Sequence, residues 1–415
     1  MSTVALSPER AVTNRTRVQS IDIVRGAVMV LMAIDHVRVY SGLPAGGPTA
    51  GIFFTRWVTH FCAPAFVFLA GTGAFLHGQK LREPSTGSGS SRAASRDESG
   101  APFGDAQGRL AHFLVTRGLM LVALELTVIR FSWTFNVDYA RFTLAGVIWM
   151  LGWCMVLLAG LIRLSPSPRA IGTFGLVVIV FQQILGLVPR ALPASIQNPV
   201  AYVWNFFYPS GADGWEAISI LYVLVPWIGV MAAGYGFGAI VIREPAERRR
   251  LCLRIGVSAT ALFVVLAGLM VLLVPAGEDA RPALFRFLDQ QKYPASQLFL
   301  LMTLGPTIAL VPLAERARGW MADGLATFGR VPLFYYLLHI PLIHVTALLV
   351  WFMRDGSAHA ERFATAPFVS MPPAQRWGLG LLYLVWFVDV AILYVACRWF
   401  AGVKAREPAG WLRYL

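Results

Sequence analysis

Charge is scarce in this sequence. Asp, Glu, Lys and Arg make up 14% of its 415 residues while 57% are hydrophobic, against roughly a quarter charged in soluble domains. An ordinary soluble globular fold is thereby excluded. There are four cysteines: Cys62, Cys154, Cys252 and Cys397, all in apolar stretches and none in CxxC spacing. They predict neither a disulfide framework nor a zinc site and read as small core residues. The absence of a Gly-rich phosphate cradle argues against nucleotide hydrolysis. No small-residue cleavage site follows the first apolar run, so that run reads as a retained anchor. No fixed-period repeat is visible, which gives inverted-repeat transporter architecture no support.

What is present is a succession of apolar windows of about 20 residues, each long enough to cross a hydrocarbon core at about 1.5 Å per residue. Ten are expected, near 20–41, 52–76, 112–131, 142–163, 170–188, 217–241, 252–275, 296–314, 331–353 and 377–401. The fold class is therefore an all-α polytopic membrane protein of about ten transmembrane helices. With both termini on one side, 22 of the 35 Lys and Arg residues fall on that side, which the positive-inside rule assigns to the cytoplasm. A bacterial inner membrane suits this pattern. The formal net charge of +13 is scattered over loops without one aromatic-laced stripe, so anionic lipids are the expected partner and nucleic acid is not. Oligomerisation is left open.

A polar N-terminal tail (1–19) precedes a membrane domain (20–403) and a short cytoplasmic C-terminal tail (404–415). Within the domain, the cytoplasmic loop 77–109 contains the Ser/Gly-rich stretch 82–108, which is too polar to order itself. Loop 189–215 carries Trp204, Phe206, Phe207, Tyr208 and Trp215, as an interfacial belt or as a lid. Loop 354–376 lies on the same face. Gly229, Ala233, Gly234 and Gly238 have small-xxx-small spacing, expected for close helix packing.

Ionisable residues inside the apolar windows are functional candidates by default, because charge there is costly. Arg25 and His36 are eleven apart, about three turns, so they share a face with roughly 16 Å of rise between them. The structural alternatives are that Arg25 snorkels beside Asp22, and that His36 is interfacial between Asp35 and Arg38. Arg56 and His60 are at i, i+4, one turn before Pro64. Arg117 and Glu125 lie close to one face, and Glu125 needs a partner: Arg117, Arg25 or His36. "GRVPLFYYLLHIPLIH" places Arg330 at a boundary and Tyr335, Tyr336, His339 and His344 further in. The five-residue histidine spacing is poor for a metal, and none is expected. Asp389 is an isolated acid, expected in a structural hydrogen bond.

These segments resemble a known family. "SIDIVRGAVMVLMAIDHVR" is similar to the opening motif of transmembrane acyltransferases. "RWVTHFCAPAFVFLAGTGAF", "RGLMLVALELTVIRF", "IWMLGWCMVLLAGLI", "VPWIGVMAAGYGFG" and "GRVPLFYYLLHIPLIH" look like bacterial relatives of heparan-alpha-glucosaminide N-acetyltransferase. The resemblance implies transfer of an acyl group, taken as acetyl, from cytoplasmic acetyl-CoA or another acyl-CoA. The group would pass through a central polar tunnel to a hydroxyl or amine of a glycan or lipid-linked acceptor. The lysosomal enzyme uses a histidine between its first two helices, whereas "YSGLPAGGPTAGIFF" has none, so the amino-sugar substrate is not carried over and the catalytic role falls to His36 or His60. His36 is the expected general base, oriented by Asp35 or Glu125. Arg25, Arg117, Arg330, His339 and Tyr336 are candidates for binding acyl-CoA. Direct transfer and an acyl-histidine intermediate both remain open. A proton-coupled permease using the same His, Glu and Asp residues is the alternative function.

Overall fold

The computed structural model of the chain describes residues 8–46, 49–82, 106–140, 143–165, 167–209, 218–274, 277, 281–363 and 371–406, with backbone alone for 8–18. Fifteen α-helices occupy nearly all of it: α1 Pro8–Tyr40, α2 Ala50–Trp57, α3 Cys62–Arg82, α4 Ala106–Leu124, α5 Arg130–Thr134, α6 Val147–Leu164, α7 Pro168–Phe181, α8 Ala194–Trp204, α9 Leu224–Val241, α10 Pro245–Leu273, α11 Ala283–Leu288, α12 Gln297–Ala314, α13 Trp320–Arg330, α14 Pro332–Asp355 and α15 Leu379–Arg406. Nine of the ten expected windows coincide with helical spans long and apolar enough to cross a membrane. The tenth, 20–41, lies in α1, which starts at Pro8 and whose Asp22, Arg25, Asp35 and Arg38 set it apart by composition. The chain is an all-α multi-pass membrane protein. The stretch 83–105 and Trp215 lie outside the described residues.

Two expected helices are locally interrupted, each for a physical reason. The window 52–76 is broken by the 3-10 turn Val58–Phe61. Pro64 has no N–H to offer the His60 carbonyl four residues back, and its ring crowds that turn. Between α4 and α5 the chain makes a π turn, Glu125–Ile129, a feature often found where a side chain is re-aimed for function.

The described helices fall into two compact units. The first draws on Met1–Phe66, Thr127–Thr143 and Glu244–Leu415 and is built around α1, which packs on α12, α13, α14 and α15. Three successive carbonyls of α1 each accept a side-chain donor from a different element: Val28 from Cys62 Sγ (3.1 Å), Met29 from Tyr335 Oη (3.0 Å) and Val30 from Trp386 Nε1 (3.0 Å). The crossing with α13 is at backbone contact. A Cβ on Gly26 would lie 1.9 Å from the Leu325 carbonyl oxygen, and one on Gly329 would lie 2.0 Å from that of Asp22. Only glycine permits that approach. In the same unit α10 packs on α12, and the buried Arg248 clamps Glu315 through two bonds, Nε–Oε1 at 2.6 Å and Nη2–Oε2 at 3.1 Å.

The second unit draws on Val67–Leu126 and Leu144–Arg243, with α4 on α6 and α7 on α9. Small residues do the packing there as the spacing predicted: a Cβ on Gly234 would meet the Phe68 carbonyl oxygen at 2.0 Å. A two-residue parallel pair, Leu144–Ala145 with Ser219–Ile220, precedes α6 and α9. The aromatic loop after α7 packs on its own unit, with Trp204 Nε1 donating to the Leu185 carbonyl at 2.9 Å.

Candidate active site

The first unit gathers a cluster of polar groups at the end of α1. His36 Nδ1 lies 2.7 Å from His339 Nε2 of α14. The fully buried His339 also directs Nδ1 at backbone carbonyls, Tyr336 at 2.6 Å and Tyr335 at 3.2 Å. These contacts assign the protons of the neutral pair. A carbonyl only accepts, so His339 Nδ1 carries its hydrogen and Nε2 offers a lone pair. His36 Nδ1 must then be the donor, which leaves the lone pair of His36 on Nε2. The hydrogen bond of His36 among the described residues is the one at Nδ1, and the residue is half-buried.

Aromatic rings hold this pair in place. Trp133 presents an edge to His36 with ring centres 5.1 Å apart, and its carbonyl accepts from Tyr40 Oη at 2.9 Å. Tyr40 in turn stacks on His344 at 4.8 Å. His344 donates from Nδ1 to the Ser132 carbonyl at 3.0 Å and stacks on Phe135 at 3.9 Å. Phe135 closes α5 in the left-handed region, φ 49°, and the turn after it is tied down by Arg130, which donates to the Asn136 and Asp138 carbonyls. Phe363, from the segment after α14, covers Tyr40 and His344.

One residue before His36, Asp35 uses both oxygens: Arg38 Nε reaches Oδ1 at 3.0 Å and Arg56 Nη1 reaches Oδ2 at 2.6 Å. Arg38 also donates to the Leu43 carbonyl at 2.9 Å. Lys292 is buried in the loop before α12. The loop is docked by Phe285 of α11, which stacks on Phe53 of α2 at 4.2 Å. His60 is 6% exposed; its ring meets Phe299 edge-on at 5.5 Å, and its Nδ1 has no partner among the described residues.

The structure therefore brings together Asp35, His36, His60, His339 and Tyr336 and adds residues that sequence reasoning missed: Trp133 and Arg38 as a clamp on Asp35. Arg38 had one signal, its i, i+3 spacing from Asp35. Each of the other candidates has contacts of its own. Arg25 is tied at the α1–α13 crossing to Asp22 Oδ1 (3.4 Å) and the Gly329 carbonyl (3.0 Å). Between Arg25 and His36, the same stripe of α1 carries Met29 and Met32, 0% and 5% exposed. Arg330 is exposed at the end of α13. Arg117 and Glu125 belong to the second unit. Arg117 lies 6.0 Å from the Phe113 ring centre. The buried Glu125 accepts from the Ile148 N–H at 3.1 Å and from the N–H groups of Gly146 and Trp149. It caps the N-terminus of α6, where three donors would otherwise lack partners. Asp389 accepts from Thr346 Oγ1 at 2.8 Å, in the structural manner expected, with Oδ2 buried and without a partner among the described residues.

No group of three or more His, Cys, Asp or Glu is placed to hold a metal among the described residues. The four cysteines are free and buried. The sequence model of the family described as "Heparan-alpha-glucosaminide N-acetyltransferase, catalytic" matches residues 17–274. The match includes Asp35, His36, Arg56 and His60 and ends before Lys292 and His339. No curated protein matches the chain.

Proposed function

The chain belongs to the heparan-alpha-glucosaminide N-acetyltransferase catalytic family, and we propose that it moves an acetyl group from cytoplasmic acyl-CoA to a hydroxyl or amine of a glycan or lipid-linked acceptor, with His36 as general base. The observation that carries this reading is the His36–His339 pair, whose contacts leave a lone pair on Nε2 of His36. In the reaction, Nε2 takes the hydrogen of the acceptor O–H or N–H as that atom attacks the thioester carbonyl. The tetrahedral intermediate collapses, the C–S bond breaks, and the CoA thiolate recovers the proton from the imidazolium. While it is charged, the imidazolium keeps its Nδ1–H bond to His339 and has the Asp35 carboxylate as its sequence neighbour. Tyr336 and His339 serve this step as positioning residues, and Glu125 serves the fold as a helix cap.

Arg25 takes the CoA end of the donor, three turns of α1 from the base. The stripe between them is lined by Met29 and Met32, flexible and polarizable side chains that yield to an incoming chain more readily than branched ones. Both termini lie in the cytoplasm of a bacterial inner membrane, as the distribution of basic residues supports, so donor and acceptor approach from opposite faces.

The test is labelled acetyl-CoA supplied to inside-out vesicles. Label should pass to a membrane or lumenal acceptor, and His36→Ala should abolish passage without loss of folded protein. Near-full turnover in that variant moves the chemistry elsewhere, with His60→Ala the next variant to make; solute uptake independent of CoA supports a permease instead.

A further inference from the structure

The end of α15 borders a cavity that the transfer chemistry leaves unused. We propose that this cavity binds one anionic phospholipid of the surrounding bilayer, with the phosphodiester held between Arg398 and Arg406. The space measures about 460 Å³ and is lined by α15. Tyr394, Arg398, Gly402 and Arg406 form one row of the lining at i, i+4 spacing, and Val395, Trp399 and Val403 form the row beside it,. Both arginines are exposed, and neither makes an ion pair or a hydrogen bond among the described residues. None of the described residues lining the space is acidic.

A glycine leaves the room. Gly402 stands midway between the two cations, about 6 Å of helix rise from each, and a Cβ built on it would meet nothing within 4 Å. The gap between the guanidinium groups is therefore open. A phosphodiester placed there offers an oxygen to each arginine, and planar guanidinium forks match phosphate geometry. The helix dipole accounts for a cation at Arg406, in the last turn of α15. It does not account for Arg398, two turns earlier, because that effect fades within one turn.

Depth and neighbours identify the anion as a lipid headgroup. α15 is 28 residues long, about 42 Å at 1.5 Å per residue, against roughly 30 Å of hydrocarbon. Its last turns therefore reach headgroup level, a depth that suits Trp399, which is 64% exposed,. Towards the bilayer centre the apolar row continues through Leu384, Val388, Ile392 and Val395, all exposed. Acyl chains can lie along that stripe, whereas a soluble phosphate gains nothing from it. A zwitterionic lipid would bring its own ammonium group beside the two guanidinium groups, so the charge of the site selects an anionic headgroup.

Native mass spectrometry of the purified full chain tests this, in detergent micelles doped with equal amounts of phosphatidylglycerol and phosphatidylcholine of the same acyl chains. One phosphatidylglycerol should be retained roughly 30-fold over phosphatidylcholine, about fivefold for each arginine. Arg398→Gln and Arg406→Gln should each lose about fivefold of that preference, while Arg316→Gln, at an exposed position after α12, should lose none. Gly402→Leu keeps both charges but fills the gap and should abolish retention, with a melting curve to show folded protein; if it does not fold, the arginine variants decide. Equal retention of the two lipids overturns the proposal, as does a folded Gly402→Leu protein that still holds phosphatidylglycerol. An Arg316→Gln protein that loses as much as the other two also overturns it, because the preference then belongs to diffuse surface charge. So does displacement of the lipid by glycerol 3-phosphate, or a loss of CoA affinity in the arginine variants, since either assigns the cavity to a soluble phosphate.

Discussion

Removing the lone pair that His339 offers to His36 separates a positioning role from a donor-binding one. His339→Phe keeps a buried aromatic ring on α14 but leaves the His36 Nδ1–H without its acceptor 2.7 Å away. Two costs follow. An unmade hydrogen bond at a buried site is worth about 1–3 kcal/mol, and nothing then holds the imidazole in the tautomer with its lone pair on Nε2. If that loss falls in the transition state, where Nδ1–H belongs to an imidazolium, kcat drops roughly 10- to 100-fold at about 1.4 kcal/mol per factor of ten. The KM for acyl-CoA should change little, because among the described residues His339 bonds only His36 and the carbonyls of its own helix. The assay is release of CoA thiol in proteoliposomes across a range of acetyl-CoA, with a melting curve in detergent to show folded protein. His339→Gln, which restores an acceptor oxygen, should recover part of kcat. A His339→Phe protein with kcat within about twofold of the parent refutes the reasoning. A loss confined to KM returns His339 to the donor-binding role that the sequence suggested.

Three further outcomes are expected. Glu125→Gln should keep most of kcat, since an amide oxygen still accepts at the α6 N-terminus, while Glu125→Ala should lower stability by about 1–2 kcal/mol; a large kcat loss in the Gln variant with stability intact would restore a catalytic role. Gly26→Ala forces a Cβ into the Leu325 carbonyl and should cost at least about 2 kcal/mol, read as a lower melting temperature, whereas an unchanged melt would mean that α1 and α13 separate freely. Glu315→Gln leaves Arg248 buried without its carboxylate and should cost about 3–5 kcal/mol, with Arg248→Met in the same chain recovering most of it; failure of that rescue would show that the ion pair does more than neutralise itself.

How far the molecule was legible differs between its parts. The windows of about 20 apolar residues located nine long spans because burying a backbone in lipid demands a helix of that length, a constraint that acts on each segment alone. The break after Trp57 was readable in part, since Pro64 announces a lost donor but not the 3-10 turn that replaces it. The list of ionisable residues was also complete at Asp35, His36 and His60, because charge in an apolar window is conspicuous wherever it is. Partner assignment was not. Glu125 read as a group in need of a cation, and the answer was three backbone N–H groups at the start of α6, which no side-chain pattern reveals.

By itself the sequence determined that this chain crosses a membrane as helices, and that a few charged and imidazole groups travel with them, for both follow from local composition against the cost of burial. Tertiary structure alone decided that His36 meets His339, 303 positions away, and that Arg56 reaches Asp35 from α2. Such pairings depend on how helices rotate and cross, which is set by glycine contacts and ring packing among distant segments.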